Sequence, residues 1–170
     1  HGQIYSGRAL EFDGVADYLD LGSDLFGTTG DFTYSFWFYL TSAPSEYDPL
    51  IYSGDDSLIR IRNSSSPWYL QIAPDNLAPY TRTEGDTIVI GTWYYLVATR
   101  TSGTVQMYLN GVAGSDSQTN ANTMSLRYFG HDGGDRFTPV NLSNAQIWDA
   151  AWSQADVTYA YLNPEQLALN

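Results

Sequence analysis

Apolar and polar residues alternate along most of this chain with a period of two. Leu10 and Phe12 flank Glu11, and Asp13-Gly14 follows as a turn. Phe32, Tyr34, Phe36 and Phe38 alternate with Thr33, Ser35, Trp37 and Tyr39, and both faces are aromatic at the end of that run. A strand of this kind is expected deep in a fold, covered on both sides. In Leu58-Ile59-Arg60-Ile61-Arg62 the two isoleucines read as inward and the two arginines as outward. Trp68 to Ile72, Thr87 to Ile90, Leu126 to Phe129 and Ala145 to Trp148 read as further strands. Trp93 to Thr99 and Thr104 to Leu109 form a hairpin through Thr101-Ser102-Gly103, and Asn110-Gly111 ends it as a tight turn. Strand signals about ten residues apart, with Gly-rich turns between them, predict an all-β sandwich or barrel. Its core should contain Leu10, Phe12, Phe36, Val97, Met107 and Leu109. Ser42 to Pro49, Asn63 to Pro67 and Gly114 to Thr123 read as long polar loops.

Only the C-terminal stretch has helical character. Ser153 followed by Asp156 forms a capping-box pattern with Asp in place of Glu. Val157 and Tyr161 share a helical face, and Asn163-Pro164 stops the run. One short helix over Ser153 to Leu162 is expected to seal one end of the sandwich. No internal repeat or linker interrupts the 170 residues, so 1–170 reads as one domain.

Composition narrows the chemistry. Zero cysteines exclude a thiol nucleophile, a disulfide framework and a Cys-based metal site. A net charge of −12 argues against nucleic acid and against anionic membrane surfaces. No apolar run is long enough to insert into a bilayer. Charged residues are 15% of the chain and aromatics another 15%, with 14 tyrosines and 5 tryptophans. A surface built from Ser, Thr, Asn, Gln, Gly and Tyr suits an extracellular β-protein that binds polar ligands, since Tyr and Trp offer flat apolar faces with a hydrogen-bonding edge. All seven cations are arginine.

Four segments carry a resemblance. They are the "ALEFDGVADYLDLG" run over 9–22, "DFTYSFWFYL" over 31–40, "GTWYYLVATRTSGTVQMYLNGV" over 91–112 and "LSNAQIWDAAWSQADV" over 142–157. Together, in this order, they resemble the laminin-G-like branch of the concanavalin A-like lectin/glucanase sandwiches. The resemblance implies an antiparallel jelly-roll β-sandwich with loops gathered along its rim. It implies a module that binds a glycan or other cell-surface ligand, of the kind found in secreted surface proteins and phage tail or structural proteins. Extracellular or virion-associated placement follows from the same resemblance. With only nine residues before Leu10, an initial strand common in the family is short or missing, which leaves an edge for a neighbouring domain or subunit.

The resemblance also bears on metal and catalysis. Laminin-G-like domains can hold a rim calcium with two aspartates and backbone carbonyls. Asp56, with Asp55 beside it, matches the first; the stretch Met124-Ser125-Leu126 lacks the second. Asp132 and Asp135 in the loop His131 to Arg136 are the other candidate ligands, and Asp-Gly pairs there also read simply as turns. None of the four glutamates, Glu11, Glu46, Glu84 and Glu165, sits in the paired-carboxylate strand pattern of the glycan hydrolases with this sandwich. The lyases need a Tyr/His pair, and Tyr128 with His131 reads as loop packing. The leading reading is therefore non-catalytic recognition. A structural or assembly domain of a virion, fibre or filament is the alternative, and a glycan hydrolase or lyase comes third.

Two surfaces compete for the ligand. Tyr47-Asp48, Ser66-Pro67-Trp68 and His131 to Arg136 could meet on one rim, with Trp68 as stacking platform and Asp135 and Arg136 as hydrogen-bonding groups. If they do not meet, the outward pair Arg60 and Arg62 becomes the better candidate, and the ligand should be anionic. Trp37, Trp93, Trp148 and Trp152 read as core.

Overall fold

The computed structural model describes residues 9–63, 67–83 and 88–164. Two six-stranded antiparallel sheets face each other. The first runs, in spatial order, β1 (Leu10–Asp13), β12 (Pro139–Trp148), β3 (Phe32–Leu40), β8 (Trp93–Thr101), β9 (Thr104–Leu109) and β10 (Val112–Thr119). The second runs β2 (Leu19–Thr28), β11 (Met124–Phe129), β4 (Pro49–Tyr52), β5 (Leu58–Arg62), β6 (Tyr69–Ala73) and β7 (Thr81–Arg82). A single helix, α1 (Gln154–Leu162), follows β12. This is the antiparallel jelly-roll sandwich with one short C-terminal helix that the alternation and the resemblance predict.

The aromatic strand β3 lies at the centre of the first sheet and is buried on both sides for different reasons. Phe32, Tyr34, Phe36, Phe38 and Leu40 point between the sheets, where they meet Ile59, Ile61, Leu70 and Ile72 from β5 and β6. Trp37 points the other way, into a second cluster with Tyr95, Val97, Tyr108, Trp152, Val157 and Ala160. That cluster is the outer face of the first sheet, covered by α1, so the helix lies on a sheet face and does not seal an end of the sandwich as expected. Ser153 caps the helix: its side chain accepts from the Asp156 N–H, and the Asp156 carboxylate accepts from the Ser153 N–H. The two hairpin turns form as expected, with Ser102-Gly103 and Asn110-Gly111 all in the left-handed region.

Three further expectations need correction. Leu10 is 54% exposed, because β1 is an edge strand and its first residue lines an open cleft with Leu19, Phe129 and Leu142 instead of entering the core. Phe12, two residues on, is buried. Residues 88–90 form no strand; Ile88 is buried but Val89 and Ile90 are exposed, and the Val89 N–H donates to the Tyr94 hydroxyl (3.1 Å) instead of to a ladder. Thr87 lies outside the described residues. The polar stretch from Gly114 to Thr123 is largely strand β10, an edge strand whose exposed positions alternate, so its pairing leaves no apolar pattern to read. Strands β2 and β4 likewise escape the pattern. β2 mixes aspartate and glycine, and β4 begins at the end of the expected 42–49 loop.

Candidate functional site

Among the described residues no helix covers the outer face of the second sheet, and the side chains there are polar and aromatic. Alternation in β5 sends Ile59 and Ile61 inward and leaves Arg60 and Arg62 half-buried on the outside. Register then extends the row across three strands: Arg60 stands opposite Gln71, and Gln71 opposite Arg82. In the next row Arg62 stands opposite Tyr69.

The side chains of these rows interlock. Arg60 Nε donates to Gln71 Oε1 at 2.8 Å, and Arg62 Nη1 reaches the same oxygen at 3.4 Å. Arg62 Nη2 pairs with Glu46 (3.2 Å) and also donates to the Tyr47 hydroxyl (3.3 Å). The Tyr47 ring lies under three guanidinium groups, with Arg62, Arg60 and Arg136 at 4.1, 4.9 and 5.8 Å from its centroid. Arg60 also sits 5.9 Å from the Tyr80 ring, and Arg82 5.7 Å from the Tyr69 ring. Each such contact favours a cation over an aromatic face.

Tyr47 takes up this position at a backbone cost. Its φ is 75°, in the left-handed region that a bulky residue rarely occupies. Buried Asp48 holds the turn: its carboxylate accepts from the Ser45 N–H at 2.7 Å, and its carbonyl accepts from the Ile61 N–H at 3.0 Å. Burial pushes the Asp48 carboxyl up to about 6, against the pull of the Ser45 N–H and of Arg136.

The balance of donors and acceptors on this face is uneven. Arg60, Arg62, Arg82 and Arg136 are four of the seven cations of the chain. Among the described residues, Glu46 pairs with Arg62 and Asp132 lies 4.0 Å from Arg136, while Arg60 and Arg82 make no ion pair. The Asp116 carboxylate at the edge takes the backbone N–H of Arg82. Burial, and then the neighbouring Arg62, hold Arg60 below the ordinary arginine range. Nine buried side-chain polar atoms among the described residues lack a hydrogen-bond partner; three of them, Arg62 Nε, Gln71 Nε2 and Arg82 Nε, lie on this face, and all three are N–H donors. A buried donor without an acceptor costs about 1–3 kcal/mol, so their concentration in one place is a feature of the site. Two arginines donating to Gln71 Oε1 fix the amide orientation and leave Nε2 as the free end.

The other sequence candidates fall elsewhere. Trp68 is half-buried and packs against the core between the sheets, on the side opposite Tyr69, so it does not join Tyr47. Ser66 lies outside the described residues. His131 is buried between Tyr18 and Phe137, at 4.4 Å from each ring. The Gly133 N–H donates to its Nδ1 (2.9 Å), which leaves Nε2 to donate to the Gly134 carbonyl (3.1 Å). The imidazole is thus fully engaged in holding its own loop, and the Tyr128 ring packs against its edge. Of the His131 to Arg136 loop only Arg136 reaches the arginine face. Asp135 is exposed, and the Asp132 carboxylate accepts from the N–H groups of Gly134 (2.8 Å) and Arg136 (3.2 Å).

Asp55 and Asp56 occupy the turn between β4 and β5. Burial raises the Asp55 carboxyl, but hydrogen bonds from the Ser53 hydroxyl and the Ser57 N–H outweigh it and hold the group below the ordinary range. Asp56 accepts from the Tyr52 hydroxyl. Among the described residues no three His, Asp or Glu side chains converge, so an ion near these aspartates would draw most of its ligands from backbone carbonyls and water.

Tyr69, Gln71, Tyr80 and Arg82 are the site residues that sequence reading missed. Gln71 had a signal, as an outward position between Leu70 and Ile72; Arg82 had none, because only the β6–β7 register brings it alongside.

Three-dimensional similarity is widespread at low identity. A native heptameric SAP-like pentraxin from Limulus polyphemus superposes with a TM-score of 0.67 at 16% identity, covering 89% of this chain and 80% of that one. Domain 4 of AbnA, a GH43 extracellular arabinanase from Geobacillus stearothermophilus solved in complex with arabinotriose, gives 0.62 at 18% identity, covering 92% and 82%. Trypanosoma rangeli sialidase gives 0.67 at 15% identity, but the chain spans only 28% of that enzyme's length. These likenesses show the fold alone. The search of curated proteins found no match. The family profile described as the concanavalin A-like lectin/glucanases superfamily matches residues 13–158, so this chain belongs to that superfamily.

Proposed function

We propose that this chain is a non-catalytic recognition module that binds a glycan through the outer face of β5, β6 and β7. The observation that carries the reading is Tyr47, held at a positive φ beneath three guanidinium groups and beside Gln71, whose buried amide N–H lacks an acceptor. A sugar ring asks for this combination of a flat apolar surface and directed donors. The arabinanase domain solved with arabinotriose supports a saccharide as the ligand class. Engagement of His131 in its own loop and of Glu46 with Arg62 supports recognition over acid–base cleavage. Secreted or virion-associated placement belongs to the same proposal.

A glycan array probed with the purified chain tests it. Saturable binding that Tyr47→Ala weakens is the expected result; a silent array overturns it. The alternative, an assembly unit of a fibre or virion, draws on exposed Leu10, Val15 and Tyr18 near the β1 edge. Concentration-dependent oligomers together with a silent array favour that alternative. Calcium is a further proposal, at Asp55, Asp56, Asp132 or Asp135. Bound at 100 times its dissociation constant it would add about 2.7 kcal/mol, so an unchanged melting midpoint in chelator removes it.

A further inference from the structure

We propose that the ligand of this face is a uronate-bearing glycan, whose carboxylate is received by the Arg60–Gln71–Arg82 row while its rings lie over Tyr47, Tyr69 and Tyr80. The inference rests on the glycan reading above and adds the chemical class. Cross-strand register lines the three donor side chains up on one face. Gln71 Nε2 and Arg82 Nε are buried donors without an acceptor, and Arg62 Nε is a third beside them. Neither Arg60 nor Arg82 makes an ion pair among the described residues. A row of planar N–H groups with surplus positive charge matches a planar carboxylate. The net charge of −12 sharpens the assignment, since a polyanion is repelled by most of this surface and is drawn to the place where four of the seven arginines gather. Three tyrosines around the row make a saccharide a better occupant than an acidic peptide.

Isothermal titration of the wild-type chain tests this with polygalacturonate, alginate and hyaluronate, each compared with its methyl-esterified form. At least one free acid should bind about 10-fold or more tighter than its ester, as a charge-assisted hydrogen bond requires. That binding should weaken as salt shortens the Debye length. Arg60→Gln and Arg82→Gln should each weaken it about 10-fold or more, while Arg127→Gln, on another part of the sheet, should leave it unchanged. Melting curves establish that each variant is folded, and the acid-against-ester comparison needs no variant. Equal affinity for acid and ester overturns the carboxylate assignment and leaves glycan recognition standing. Equally tight binding of dextran sulfate or polyglutamate overturns it in favour of charge alone. If no uronate binds while the array shows neutral glycans, the assignment also fails; if the array is silent as well, both readings fall.

Discussion

Arg100 is fully buried, and its guanidinium donates to the carbonyls of Thr28 (2.7 Å), Gly30 (2.7 Å), Asn122 (2.6 Å) and Asn120 (3.3 Å). A single side chain thereby ties the β2–β3 connection to the β10–β11 connection. Arg100→Met should cost at least about 3 kcal/mol in urea unfolding, because several carbonyls lose charge-assisted donors at once. Arg100→Lys should recover only part, since an ammonium lacks the planar fork. Asp48 makes a prediction in pH. Burial raises its carboxyl from 3.8 to about 6, so between those values the folded chain holds a proton that the unfolded chain has released. Its contribution to stability is full below the unfolded value and is lost as pH rises through about 6. Asp13, Asp20 and Asp156 act in the opposite sense, because hydrogen bonds hold them below the ordinary range and their contribution is lost as pH falls. Asp48→Asn isolates the first effect: the asparagine oxygen can still accept from the Ser45 N–H. The variant should gain roughly 1–3 kcal/mol on the wild type between about pH 4 and pH 7, measured by urea unfolding across that range.

At the scale of elements, α1 is a lid on the outer face of the first sheet. Val157 and Ala160 are its buried residues, and beneath them lie Trp37, Tyr95 and Tyr108. The helix has nine residues, too few to hold together in water without that packing, so its cap matters. Ser153→Ala removes the acceptor for the Asp156 N–H and should destabilise the protein by about 1 kcal/mol. Near-ultraviolet circular dichroism of Trp37 and Trp152 would show whether the helix stays docked. Gly111, in the turn after β9, has a φ of +83°, and a Cβ there would lie 3.0 Å from the Tyr161 ring; the turn and the lid are fitted to each other.

For the whole molecule the two sheets divide the work. Phe36 and its neighbours fill the space between them, and Phe36→Ala should cost about 3–5 kcal/mol, read from denaturant midpoints at constant slope. The helix covers one outer face; the other carries the arginine row. Rigidity from the core and the polar sheet face outside it together give a platform that holds Tyr47 and the guanidinium groups in fixed relation.

Local pattern makes legible the elements whose two faces differ. Strand β5 reads as inward isoleucine and outward arginine because every second side chain meets the core, and α1 and the two hairpin turns are written in local capping and turn chemistry. The sequence also named Arg60, Arg62, Tyr47 and Arg136. Edge strands stayed illegible: β10 has no buried face to print a pattern on, and Leu10 has the right alternation at a place where the sheet ends. Which candidates meet depends on strand order. Tyr47 precedes β4 and Arg136 follows β11, and the neighbouring positions of those strands in one sheet, β11 beside β4 and β4 beside β5, bring both residues to Arg60 and Arg62. Arg82 joins them through register with Gln71, and Trp68, adjacent in sequence to Tyr69, faces away because a strand sends neighbours to opposite sides. Long-range pairing of strands has no local signature, so a site assembled from three strands and the loops beside them becomes visible only in the fold.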